Sequence, residues 1–168
     1  WRFHWIGLAT ERESCQLLLN DGGRSTLRTS FLGDIMKRNQ LRAAIVGAGH
    51  RAIRYASYAH QRPQELTITA VADPSARRRE LAAKLFEIPQ DRCFHSAEEL
   101  AGKPPMADAI INGTMDQQHV PTSLPLLEAG YDILLEKPFA TNEQEMWQLQ
   151  EAAARLRRKV MVCHVLRY

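Results

Sequence analysis

Gly47-Ala48-Gly49-His50-Arg51-Ala52 has the G-x-G-x-x-[GA] spacing of a turn that brings main chain close to a phosphate. The first glycine permits the tight turn. The second lets the backbone approach a pyrophosphate with no Cβ in the way, and the small Ala52 lets the following helix pack closely. Free N–H groups and the partial positive charge of a helix N-terminus would complete the anion site. Arg51 in that first turn either adds charge there or is simply solvated. Asp73 lies 24 residues beyond Gly49, near the spacing of a carboxylate that bonds an adenine ribose. Such a carboxylate repels a 2′-phosphate, so NAD is expected ahead of NADP. Arg77, Arg78 and Arg79 follow closely and weaken that preference. One of them, with Arg78 the candidate, stands to stack on adenine or to meet a 2′-phosphate. The plainer alternative is a structural turn, a helix-capping Asp73 and a solvated arginine face.

These residues need a strand before them and a helix after them, and the pattern supplies both. Leu41–Val46 reads as a short apolar strand running into the glycines, and residues 51–62 read as a helix stopped at Arg62-Pro63. Leu66–Ala72 is a second strand. Pro74 in a first turn opens a helix through Phe86. Arg92–Phe94 is a minimal third strand, followed by a short helix capped by Ser96. Residues 107–111 form strand four, and 117–129 a helix closed by Gly130. Residues 131–135 form strand five, 142–157 a helix capped by Thr141 or Asn142, and 159–163 strand six. In that last helix Met146, Trp147, Leu149 and Leu156 are expected to pack in the core.

Six nearly all-apolar strands alternating with five helices predict an α/β fold, a doubly wound parallel sheet of Rossmann type. Its ligand crevice lies at the C-terminal ends of the strands. Two further loops fall there: Asn112-Gly113-Thr114-Met115-Asp116-Gln117-Gln118-His119 after strand four, and Glu136-Lys137-Pro138 after strand five.

Composition narrows the alternatives. The 168 residues predict one domain, and 45% hydrophobic with 24% charged residues is ordinary for a globular protein. Twenty-two Lys and Arg against 19 Asp and Glu leave a net charge of +3, too small to argue for nucleic acid. No apolar stretch is long enough to span a membrane. Cys15, Cys93 and Cys163 are odd in number, far apart and without zinc spacing, so a reduced cytoplasmic chain with no metal is expected. Residues 1–35 show no sustained period and read as a poorly ordered extension, with Leu17–Leu19 as a short helix at most. Met36 is the expected natural start, which would make 1–35 upstream read-through; a genuine packed extension is the alternative. The dinucleotide-binding domain is expected over 36–163, with 164–168 opening a linker.

From residue 41 onward the chain resembles the Gfo/Idh/MocA family of NAD(P)-dependent oxidoreductases. The resemblance rests on the Gly47–Ala52 turn, the loop ending in His119, the stretch Ala129–Pro138 and the final His164-Val165-Leu166-Arg167-Tyr168. Glu136-Lys137-Pro138 is its most specific part. It implies hydride transfer between a nicotinamide and a carbinol carbon of a sugar, polyol or related compound. Lys137 matches the family's active-site lysine, orienting substrate and stabilising negative charge on oxygen. Glu136 would contact the nicotinamide ribose or hold Lys137, and Pro138 would shape a turn whose Lys–Pro bond is often cis. Thr114, Met115 and His119 match the cofactor-facing loop. A surface lysine, and a first-turn histidine satisfied by backbone, are the plainer readings of Lys137 and His119.

Family members continue into a second α/β domain carrying substrate contacts, acid–base residues and the oligomer interface. The expectation is therefore a fragment that binds dinucleotide without full turnover, cut from a homo-oligomeric parent. A redox-assisted glycosidase or lyase of the same family, and a non-catalytic dinucleotide sensor, are the competing functions.

Overall fold

The computed structural model describes residues 40–164. The 1–35 extension with its Leu17–Leu19 helix, the Met36 start and residues 165–168 of the linker lie outside the described residues. Six strands form one all-parallel sheet: β1 (Leu41–Val46), β2 (Leu66–Ala72), β3 (Cys93–Phe94), β4 (Ala109–Asn112), β5 (Asp132–Glu136) and β6 (Val160–Cys163). Their order is β3-β2-β1-β4-β5-β6. This is the doubly wound α/β fold, and its direction reverses between β1 and β4.

Side chains alternate across a strand, so each strand feeds two cores. Ala43 and Ile45 of β1 join Ile68, Val71 and Ile111 against α1 (His50–Ala56), α2 (Tyr58–Gln61) and α3 (Ala76–Phe86). Ala44 and Val46 join Ile110, Ile133 and Leu135 on the other face. There they meet α4 (Ala97–Ala101), α5 (His119–Glu128) and α6 (Glu143–Leu156). Burying each Ile or Leu contributes about 1.5–3 kcal/mol relative to exposure, so both faces must stay covered.

Four local expectations are corrected. The helix read over 51–62 is two segments that meet at Ser57, whose hydroxyl donates to the Arg54 carbonyl at 2.7 Å. Pro74 lies outside the helix it was expected to open; Ser75 is the N-cap and its hydroxyl accepts the Arg78 N–H. The segment before α5 winds tighter, as a 3₁₀ turn over Asp116–Gln118. Trp147 is 49% exposed rather than core. Leu149, Ala152 and Leu156 share the inner stripe of α6, and at 100° per residue position 147 falls nearly opposite. Asn142 caps α6 by accepting the Glu145 N–H at 2.9 Å, and Glu145 in turn accepts from Thr141.

Candidate functional site

The turn after β1 sits at the reversal point. Gly47 adopts φ +74°, and a Cβ there would stand 2.7 Å from the Thr114 nitrogen, so this position is closed to any side chain. Gly49 is the N-cap of α1 with no side-chain cap, and a Cβ there would meet only the Gly113 carbonyl, at 3.9 Å. The two glycines therefore do different work. One lets the turn pack on the loop after β4, and the other leaves open space in front of the first helical N–H groups. Ala52 completes the pattern: a Cβ on Gly113 would stand 2.8 Å from its own Cβ. Small residues at both positions let α1 close onto the end of β4.

Asp73 leaves β2 directly beside this turn. It is buried, and its carboxylate accepts the Ala48 N–H and the Ser75 N–H, each at 2.8 Å. Arg78 stands 3.8 Å from the same carboxylate with its side chain 60% exposed. Arg79 points elsewhere and donates to the carbonyls of Asp73 and Pro74. The arginine run is thus sorted by geometry, with Arg78 on the glycine-turn side. A shallow groove of about 200 Å³ runs from Ala48, Gly49 and His50 to Arg78.

The loop after β4 is organised by Asn112, which sequence reasoning did not single out. Its buried amide donates to Thr122 Oγ1 and Ser123 Oγ at 2.9 and 3.0 Å. Its oxygen accepts the Thr114 N–H and hydroxyl. The only signal for it was a polar residue ending an apolar strand. Met115 beyond it is 74% exposed. His119, which the resemblance matched to the cofactor-facing loop, is fully buried as the first residue of α5, as the alternative of a first-turn histidine satisfied by backbone has it. Its Nδ1 lies 2.6 Å from the Pro138 carbonyl oxygen and its Nε2 3.1 Å from that of Thr114.

The turn after β5 carries Lys137, which is exposed, and its bond to Pro138 is cis. Glu136 is buried and accepts the Lys137 N–H at 2.6 Å and the Tyr55 hydroxyl at 3.0 Å. Arg51 approaches the same carboxylate at 3.6 Å. Arg51 and Tyr55 are one helical turn apart, so α1 presents both to the end of β5. Tyr55 was missed; its i+4 relation to Arg51 was the available clue. Cys163 pairs with Glu136 across β5 and β6. Burial, then the charge of Glu136, pushes its thiol up to about 11. Burial also raises the Tyr55 hydroxyl, with further contributions from Cys163 and Glu136. Among the described residues there is no cluster of metal-type ligands, and no helix is long and apolar enough to cross a membrane.

Residues 41–164 match the Gfo/Idh/MocA oxidoreductases over their NAD-binding Rossmann fold. The chain belongs to that family. It is 31% identical over 130 residues to the dehydrogenase aclE of Aspergillus oryzae, covering 73% of this chain and 35% of the relative. It is 30% identical over 135 residues to an inositol 2-dehydrogenase of Saccharopolyspora erythraea, covering 79% and 39%. The WlbA dehydrogenase of Bordetella pertussis, solved with NADH and UDP-GlcNAcA, shares the fold at TM-score 0.68 and 19% identity, over 74% of this chain and 37% of that one. The chain therefore spans little more than a third of the length of the relatives it matches. The glycine turn, the loop after β4 and the Glu-Lys-Pro turn, at the C-terminal ends of β1, β4 and β5, all fall within the residues matched to the Gfo/Idh/MocA family.

Proposed function

We propose that this chain is the dinucleotide-holding part of an oxidoreductase that moves a hydride between a nicotinamide cofactor and a carbinol of a sugar, polyol or related compound. The observation that carries the reading is that exposed Lys137, backed by buried Glu136, shares one sheet edge with the open face of Gly49. The residues fit a dinucleotide. Gly49 offers uncapped helical N–H groups to a pyrophosphate, with His50, Arg51 and Ala52 in the turn behind them. Asp73 has lone pairs left for ribose hydroxyls once the exposed end of Arg78 swings aside. Thr114 and Met115 line the approach to the nicotinamide end.

When bound, the nicotinamide supplies the hydride acceptor or donor. The ammonium of Lys137 would orient the carbinol and stabilise negative charge that develops on its oxygen. Glu136 fixes the main chain of Lys137, and Arg51 and Tyr55 fix Glu136. The inositol relative supports a polyol as substrate class. Asp73 favours NAD, with NADP admitted through Arg78.

The test is a fluorescence titration of NADH, with NADPH in parallel, into the 168-residue chain and its Gly49→Val and Lys137→Ala variants. Saturable NADH binding, lost in Gly49→Val and weakened in Lys137→Ala, is expected. A folded chain that binds neither nucleotide would sink the reading.

A further inference from the structure

We propose that His119 is a positioning residue, a buried strap that fixes the distance between the loop lying on the glycine turn and the turn that carries Lys137. The proposal rests on the reading of Lys137 given above. The ring is fully buried, and each nitrogen faces a main-chain carbonyl of a different loop: Pro138 at 2.6 Å and Thr114 at 3.1 Å. Neither partner lies in its own helix. Both are acceptors only, so the ring must supply the protons. The shorter contact assigns the proton of a neutral ring to Nδ1, donating to Pro138. The Nε2 edge then packs against the Thr114 carbonyl at 3.1 Å.

What the strap joins gives it a role beyond packing. The Thr114 main chain rests on Gly47 so closely that a Cβ there would overlap it. Pro138 is joined to Lys137 through the cis peptide bond. The path Gly47, Thr114, His119, Pro138, Lys137 thus runs from the dinucleotide turn to the lysine through direct contacts. The helix that carries His119 is joined to the end of β4 by the Asn112 amide, which donates to Thr122 and Ser123 in its first turns. An apolar side chain of similar size would fill the volume but leave the Pro138 carbonyl without its donor.

Two measurements test this. The first is a double-mutant cycle on NADH affinity, using His119→Ala, His119→Asn and His119→Gln in wild-type and Lys137→Ala backgrounds. In the wild-type background His119→Ala and His119→Gln should weaken NADH about threefold to tenfold, the size of one hydrogen bond. His119→Asn, whose amide N–H overlays Nδ1, should recover most of the loss. In the Lys137→Ala background the same changes should have little effect. An equal loss in both backgrounds, or no rescue by asparagine, would overturn the strap while leaving the role of Lys137 intact. No effect of Lys137→Ala by itself would instead overturn that role, and the strap with it. Should His119→Ala fail to fold, the asparagine and glutamine variants carry the comparison. The second measurement is imidazole nitrogen NMR of the full chain. A proton at Nδ1 is required; a ring protonated only at Nε2 overturns the proposal.

Discussion

The carboxylate of Asp73 accepts the main-chain N–H of Ala48 at 2.8 Å, so the residue leaving β2 is bonded to the inside of the glycine turn. Its other oxygen holds Ser75, the cap of α3. A sequence motif that reads as a ligand contact is therefore also a brace between two turns. Asp73→Ala should lose about 1.5–3 kcal/mol of stability, the cost of removing a charged acceptor from buried N–H groups. Asp73→Asn, which keeps one acceptor oxygen, should lose less. Both should weaken NADH binding. Thermal melts beside NADH titrations check this, and an Asp73→Ala variant that melts like wild type would leave only the ligand role.

The two glycines of the turn should separate cleanly by substitution. Gly47→Ala places a Cβ against the Thr114 backbone at a positive φ, where neither neighbour is a flexible tip. A strained conformation of this kind costs about 1–3 kcal/mol before the clash is counted. Gly49→Ala has ordinary dihedrals and room for its Cβ. Its melting temperature should stay near wild type while NADH affinity falls, because the added methyl occupies space in front of the helical N–H groups. Equal destabilisation by both substitutions would contradict this division.

The fold was legible because each strand is apolar on both faces, a pattern that only a sheet covered by helices satisfies. The glycine turn and Glu136-Lys137-Pro138 could be found as short contiguous strings. Tyr55 and Asn112 could not, since their importance comes from partners 81 residues away, at Glu136, and 10 or 11 away, at Thr122 and Ser123. Of the two readings of His119, a cofactor-facing loop residue and a first-turn histidine satisfied by backbone, the structure has the second. Periodicity placed it in a helical first turn, but could not name the two carbonyls its ring faces, because they belong to loops that meet only in three dimensions. Trp147 was placed inward with Met146, Leu149 and Leu156 as one apolar helical set, although its angle on α6 points it to solvent.

Asn112 should be the most sensitive position of the loop after β4. Its amide satisfies two hydroxyls of α5 and its oxygen satisfies two groups of Thr114, all at the end of a central strand. Asn112→Ala leaves several buried polar groups unpaired and should cost about 2–4 kcal/mol, with each orphaned group costing about 1–3. Hydrogen exchange should then rise at the Thr114 amide and in the first turn of α5 more than in β2. A uniform rise across the sheet would mean that Asn112 supports the whole fold rather than this loop.

Cys163 reports on the charge of Glu136. With its thiol pushed up to about 11, first by burial and then by the carboxylate, only about one part in a thousand is thiolate at about pH 8. Alkylation at this residue should run on the order of a hundredfold slower than at an ordinary exposed thiol under the same conditions. A negative neighbour disfavours the thiolate, so Glu136→Gln should bring the thiol down and speed the reaction. The Tyr55 hydroxyl acts the other way, since its hydrogen bond lowers the Cys163 value. Tyr55→Phe should therefore slow alkylation further, provided burial is unchanged. Site-resolved mass spectrometry is needed, because Cys93 is also raised by burial and Cys15 is present in the chain. Opposite shifts in the two variants would place Glu136 as a carboxylate shared by Tyr55, Cys163 and the Lys137 main chain. An unchanged rate in Glu136→Gln would mean that burial alone holds the thiol, and that the carboxylate is screened from β6.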